Sequence, residues 1–230
     1  MTLLDELGTY LGSANTRAQL WSGLLEHCYL ALVPIVLGVL LAIGAGWVGR
    51  MWPPIRPTLG VVANLVYTIP SLALFVVIPG IIGTTILDSI NVVIALSLYT
   101  AALLVRPMLD ALDAVPPAVT ASATAMGYRP ARRFFGVELP LAVPVLAAGV
   151  RVAAVSNISL VSVGALIGVG GLGRLFTDGF QREYYAPILV GVALTLLLAL
   201  VVDLLLVLLR RVLTPWQRPA PASTGREVSA

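Results

Sequence analysis

The chain has 230 residues, of which 59% are hydrophobic and only 11% charged, where an ordinary soluble domain carries about 25% charged residues. A water-soluble globule of this size needs a polar skin that this composition cannot supply, so the sequence reads as an all-α polytopic membrane protein. The net charge of +3 rests on 14 basic residues, all of them arginine; they are dispersed and flank apolar runs, which suits lipid headgroups and argues against nucleic acid.

Residues 1–26 carry Asp5 and Glu6 where a secretory signal would be positive, and no early apolar core follows. They are expected to form an extracytoplasmic, interfacial segment. A spanning helix needs about 20 mostly apolar residues, since each rises about 1.5 Å through about 30 Å of hydrocarbon. Five stretches qualify. Residues 28–48 are uncharged. Residues 58–79 open an uncharged run to Leu87 that is expected to break at Pro79-Gly80. Residues 89–105 are third. The fourth, 140–167, is interrupted only by Arg151, and the fifth, 186–209, only by Asp203. Ten arginines fall in 49–57, 106–139 and 210–230, against Arg17, Arg174 and Arg182 on the other side. An arginine excess marks the cytoplasmic face, which predicts the N-terminus outside and the C-terminus in the cytoplasm. Residues 210–230, rich in Pro, Ala and Ser, read as a disordered cytoplasmic tail. No repeat of inverted halves is visible.

Several residues invite a chemical reading. Cys28 is the single cysteine, so no intrachain disulfide is possible. His27, the single histidine, lies between Glu26 and Cys28, but three neighbours in sequence cannot surround a metal ion; an interfacial histidine is expected, and no metal. Gly168-Val169-Gly170-Gly171-Leu172-Gly173 fits G-x-G-x-x-G, yet it follows a membrane span where a dinucleotide site needs a preceding strand. The glycines are instead expected to allow a tight turn or close helix contact at the outer surface. No nucleophile elbow, acidic pair or P-loop is present, and the chain is not expected to be an enzyme. Arg151 lies about 16 Å and Asp203 about 10 Å from the cytoplasmic ends of their spans at 1.5 Å per residue. Charges at such depth usually pair or face a cavity, so an intramembrane ion pair is expected; the alternative has Arg151 snorkelling and Asp203 protonated or in water.

The 106–139 loop is the most informative segment. Pro116-Pro117 opens a stretch to Met126 rich in Ala and Thr, and Gly127 stops it, as glycine does just past a helix end. Arg129-Pro130 begins a second helix, with Pro where its missing N–H costs nothing, and Leu139-Pro140 begins the fourth span. The pattern reads helix, tight turn, helix, return to the membrane.

Ala121-Ser122-Ala123, three residues, Gly127, nine residues, then Val137-Glu138-Leu139-Pro140 resembles the cytoplasmic coupling motif of ABC-importer permeases: E-A-A, three residues, Gly, nine residues, I-x-L-P. Ala121 stands where that motif has Glu, and Ser122 where it has the first Ala. The resemblance extends from about Leu24 to Leu205. Ile69-Pro70-Ser71-Leu72-Ala73-Leu74 and the run from Gly149-Val150-Arg151 to Gly173 are similar to the osmoprotectant permeases for glycine betaine, choline and carnitine. Methionine-type permeases share the second feature more than the first.

The resemblance implies a type I ABC-importer permease fold over 24–205, in a bacterial cell membrane. It further implies a homo- or heterodimer with a second permease, two ATPase subunits and an extracytoplasmic substrate-binding protein. No cofactor is expected in this chain, since ATP and Mg would be bound by the partner ATPase. The coupling element would comprise Ala121, Ser122, Ala123, Gly127, Arg129, Arg132, Arg133, Val137, Leu139 and Pro140. Aromatic faces hold quaternary ammonium ions well, which makes Tyr67, Tyr99, Tyr184 and Tyr185 candidates, although tyrosine at a span end often belongs to the interfacial belt. Candidates for the translocation path are Tyr67, Pro70, Ser71, Tyr99 and Asn157. Three other readings stand beside this one: a permease of another ABC importer, such as the methionine or amino-acid type; a stand-alone channel or proton-coupled carrier with Arg151 and Asp203 as its relay; and an assembly subunit with no transport role.

Overall fold

A computed structural model describes residues 3–217; Arg218, Arg226 and most of the expected tail lie outside the described residues. Ten α-helices follow in order: α1 (Leu3–Gly12), α2 (Ala14–Met51), α3 (Arg56–Thr68), α4 (Ser71–Ile82), α5 (Ser89–Asp113), α6 (Pro117–Ala125), α7 (Pro130–Arg133), α8 (Leu139–Gly164), α9 (Arg174–Gln181) and α10 (Tyr185–Leu213). Among the described residues, four helices are long and apolar enough to cross a membrane: α2, α5, the rod Pro130–Ile167 that contains α8, and α10.

The helix boundaries differ from the apolar runs in four places. The first helix does not start near Cys28. α2 is one rod of 38 residues, about 57 Å long at 1.5 Å per residue, and residues 14–26 are its continuation. Arg17, Gln19 and Glu26 are good helix formers; hydropathy marks the part that suits lipid, not the part that is helical.

The 58–79 stretch is not a single helix. α3 and α4 meet at 101°, and the break is at Ile69-Pro70, not at Pro79-Gly80. The proline ring disfavours the helical conformation in the residue before it, and Ile69 is extended (φ −67°, ψ 129°). Pro79 lies inside α4, buried with Phe75 and Ile78, and the helix ends at Gly83.

The third helix runs past Val105 to Asp113, capped at its start by Asp88, whose Oδ1 accepts from the Ile90 N–H at 3.0 Å. The fourth starts well before Pro140. From Pro130 the chain stays helical to Ile167, with a π-helical turn at Phe134–Glu138. In a regular α-helix the Pro140 ring would strike the carbonyl of Gly136, and a wider turn is one way a helix admits the ring.

α5 is the central element, with more than half of its apolar window buried, whereas α10 is peripheral with 6%. The main core joins Leu30, Ile35, Phe75, Leu96, Ile158 and Val161 from α2, α4, α5 and α8. α2 and α5 approach closely because Gly38 faces Thr100 and Gly46 faces Met108, where a Cβ would overlap the opposing side chain. Small residues at such crossings are how helices gain packing contact in lipid.

Candidate functional site

The cytoplasmic turn is built from local rules. Pro116 is extended and Pro117 occupies the first turn of α6. At the other end Gly127 has φ +80°. Its N–H donates to the Thr124 carbonyl at 2.9 Å, and the Tyr128 N–H donates to the Ala123 carbonyl at 3.1 Å. This pair of bonds is the Schellman termination, which requires a left-handed residue at Gly127. Arg129, extended, then hands the chain to Pro130. The guanidinium of Arg132 sits 4.8 Å from the centre of the Tyr128 ring.

The turn presents one face outward. Ala121, Ser122 and Arg129 are exposed and Met126 is 70% exposed, while Ala123 is buried. A recess of about 300 Å³ is lined by Ala118, Val119, Ser122, Met126, Tyr128 and Val137. The residues Ala121–Ala123, Gly127 and Val137 thus sit together; Leu139 and Pro140 lie half-buried further along the rod.

Glu138, one residue inside the same motif, is fully buried. Its Oε2 accepts from Arg50 Nε at 2.6 Å and its Oε1 from Arg133 Nε at 2.7 Å. Arg133 also donates to Thr124 Oγ1 at 2.9 Å. Removing one partner of a buried pair costs about 3–5 kcal/mol; both arginines keep some solvent access, which puts this node near the lower end. Sequence reasoning gave neither Arg50 nor Glu138 a role. The signal was that Glu138 is the only acidic residue between Asp113 and Asp178.

Within the bundle, Arg151 and Asp203 form a two-pronged bond, Nε to Oδ1 at 2.6 Å and a terminal nitrogen to Oδ2 at 2.7 Å. The side chains are 40% and 29% exposed, so the pair ties α8 to α10 at the edge of this chain and not in its core. Beside the α3–α4 break, Tyr67 and Tyr99 pack edge-to-face with centroids 5.8 Å apart. Next to Tyr99, the Asn157 amide donates to Thr100 Oγ1 at 2.8 Å, and Thr100 donates to the Leu96 carbonyl. Pro70 lies in the break and Ser71 is the first residue of α4. Tyr184 belongs elsewhere, against Tyr10 at 5.9 Å, and Tyr185 is exposed.

His27 is not on the surface of the bundle. It is fully buried, and its Nε2–H donates to the Ile158 carbonyl at 2.9 Å. Facing it is the glycine-rich segment: a Cβ on Gly171 (φ +47°) would fall 2.7 Å from the His27 nitrogen and 2.8 Å from the Gly23 oxygen. These glycines let backbone meet backbone. Among the described residues, no group of three or more His, Cys, Asp or Glu is placed to hold a metal ion.

Residues 35–215 match the family described as binding-protein-dependent transport system inner membrane component. The chain belongs to this family. The permease is 37% identical over 216 residues to the osmoprotectant import permease protein OsmW of Salmonella typhimurium, a match that covers 93% of this chain and 95% of that one. It is 32% identical over 194 residues to the choline transport system permease protein OpuBB of Bacillus subtilis, covering 83% and 86%. In three dimensions the permease has the fold of a chain of the MetNI methionine ABC transporter, with a TM-score of 0.76 at 19% identity over 88% of this chain and 99% of that one. It is therefore an inner-membrane permease subunit of an ABC importer.

Proposed function

We propose that this permease imports a compatible solute of the quaternary-amine class, such as glycine betaine, choline or carnitine, delivered by an extracytoplasmic binding protein. Relatives named for osmoprotectant and choline transport support the class. The bent pair α3–α4 counts as one crossing, which gives five spans, with the N-terminus outside and the C-terminus in the cytoplasm. The arginine bias supports that orientation. Two permease subunits, identical or not, form the path, and two ATPase subunits bind ATP and Mg below it. ATP binding closes the ATPase pair and displaces the docked turns, and the helices change from inward- to outward-facing.

The observation that carries this reading is the exposed, Schellman-capped turn of α6 with its apolar recess. An exposed helix end fixed by its own backbone bonds is what a groove on an ATPase can grip and move. We place the solute path at the α3–α4 break, where the exposed Tyr67 offers an aromatic face to a cation and is backed by the buried Tyr99 and Asn157, with Pro70 and Ser71 close by.

Met126→Asp tests the docking. Central interface residues cost about 2 kcal/mol or more when lost, about thirty-fold in affinity. The variant should insert normally yet fail to copurify with the co-expressed ATPase. Copurification at the wild-type level would remove α6 as the docking element.

A further inference from the structure

We propose that Glu138 is the positioning residue of energy coupling: a buried carboxylate that latches the cytoplasmic turn to the first long helix, α2. The proposal rests on the reading of α6 and Gly127 as the ATPase docking element.

The turn reaches the bundle by few routes. α6 hangs between the extended Pro116 and the extended Arg129, and neither residue can carry a push along a helix axis. What ties the turn down is the chain of bonds Thr124–Arg133–Glu138–Arg50. It begins on the α6 surface, passes through the helical turn after Arg129, and ends on the last turn of α2. Beside it, Trp47 of α2 packs edge-to-face on Phe134 with centroids 5.0 Å apart and lies 5.8 Å from Phe135. Two guanidinium groups on the two oxygens of one dry carboxylate define a position and a direction. A displacement of α6 is thereby delivered to α2 and to the rod from Pro130 together, and is not absorbed in the loop. A latch that only held the fold would need no link to the exposed α6 surface; this one has it, through Thr124.

The test uses the complete importer, with ATPase and binding protein, in proteoliposomes, and reads solute imported per ATP hydrolysed. Glu138→Gln keeps the shape but removes the charge. It should lower that ratio by roughly five-fold or more, the low end of coupling factors between distant sites, with the ATPase still copurifying. Arg50→Lys, which keeps a cation, should retain most of the ratio. Should Glu138→Gln fail to assemble, the double variant Arg50→Met with Glu138→Met removes the buried carboxylate and its α2 partner and can pack as an apolar pair, while Arg133 keeps its solvent access and its bond to Thr124. It should restore assembly and remain uncoupled. A wild-type ratio in any assembled charge-removing variant overturns the latch, as does a double variant that does not assemble, because the node is then scaffold alone. Loss of the ATPase in Met126→Asp bears on the docking reading, and the transport ratio in the Glu138 variants bears on the latch, so the two can fail separately.

Discussion

Gly127 offers the sharpest test of the turn. Its φ is +80°, and a Cβ built there meets nothing within 4 Å. Substitution therefore costs backbone strain and no clash. Left-handed backbone costs an L-residue about 1–2 kcal/mol, least for Asn, whose side chain bonds locally. A β-branched residue is worse, since that region is nearly closed to it. If the turn gives way, the Gly127 and Tyr128 bonds go with it, at about 1 kcal/mol each. Gly127→Asn should then work almost as wild type. Gly127→Ala should lose about 1 kcal/mol, near five-fold in occupancy of the docked turn, and Gly127→Val about 2 kcal/mol or more, near thirty-fold. The assay is ATPase activity stimulated by loaded binding protein, beside uptake, in proteoliposomes with equal amounts of permease. The order Gly, Asn, Ala, Val is the content of the prediction. If Val performs like Asn, the left-handed turn does not matter to coupling; if Ala falls below Val, contact and not backbone decides.

Two further outcomes follow from the geometry. Arg151→Asp and Asp203→Arg should each lower assembled permease and uptake several-fold, and the double exchange should recover much of both; an exchange as defective as the worse single variant, inserted normally, would show that the bond is dispensable. In a background of Cys28→Ser, a cysteine at Arg132 should react with a membrane-impermeant reagent only from the cytoplasm and one at Thr177 only from outside, and labelling of both from one side would refute the proposed orientation.

Much of this was legible in the sequence because the rules involved are local. Gly127 and the prolines at 116, 117 and 130 set the turn, and each acts within four residues. The long helices were legible as apolar runs, but their ends were not. Residues 14–26 are polar enough to leave lipid and still helical, so hydropathy placed the start of α2 about four turns late. The break at Pro70 was missed in favour of Pro79-Gly80 because both are proline signals of similar local strength. Packing chose between them: Pro79 is buried beside Phe75 and Ile78, while Ile69 is free to be extended. His27 and Glu138 were least legible. Their partners lie 131 residues away at Ile158 and 88 away at Arg50, and one sequence carries no record of such pairings.

The distribution of these long-range bonds says which parts of the permease can move independently. α2 and the rod Pro130–Ile167 have 38 residues each, and they are fastened to each other near both ends. At the glycine-rich end the fastening is His27 to Ile158, reinforced by the segment that follows the rod, where Gly171 meets the α2 backbone and Arg174 bonds Glu26 at 2.8 Å. At the other end it is Glu138 with Arg50, and Trp47 on Phe134. Between them α5 fills the gap, with Gly38 against Thr100 and Thr100 bonded to Asn157. Two rods tied at both ends and wedged in the middle cannot slide past each other without breaking buried polar bonds. α3 is tied to α5 at its start, where Arg56 bonds Asp113 at 2.7 Å and the Leu109 carbonyl at 3.3 Å; further along, Ala63 is its one buried residue, and it meets α4 at a proline break instead of a continuous helix. Segments with few buried contacts rearrange at least cost. Under the function proposed above, a change of access at the α3–α4 break would leave these fastenings between α2 and the rod intact, which is why the break, and not the bundle around α5, is the place to look for movement.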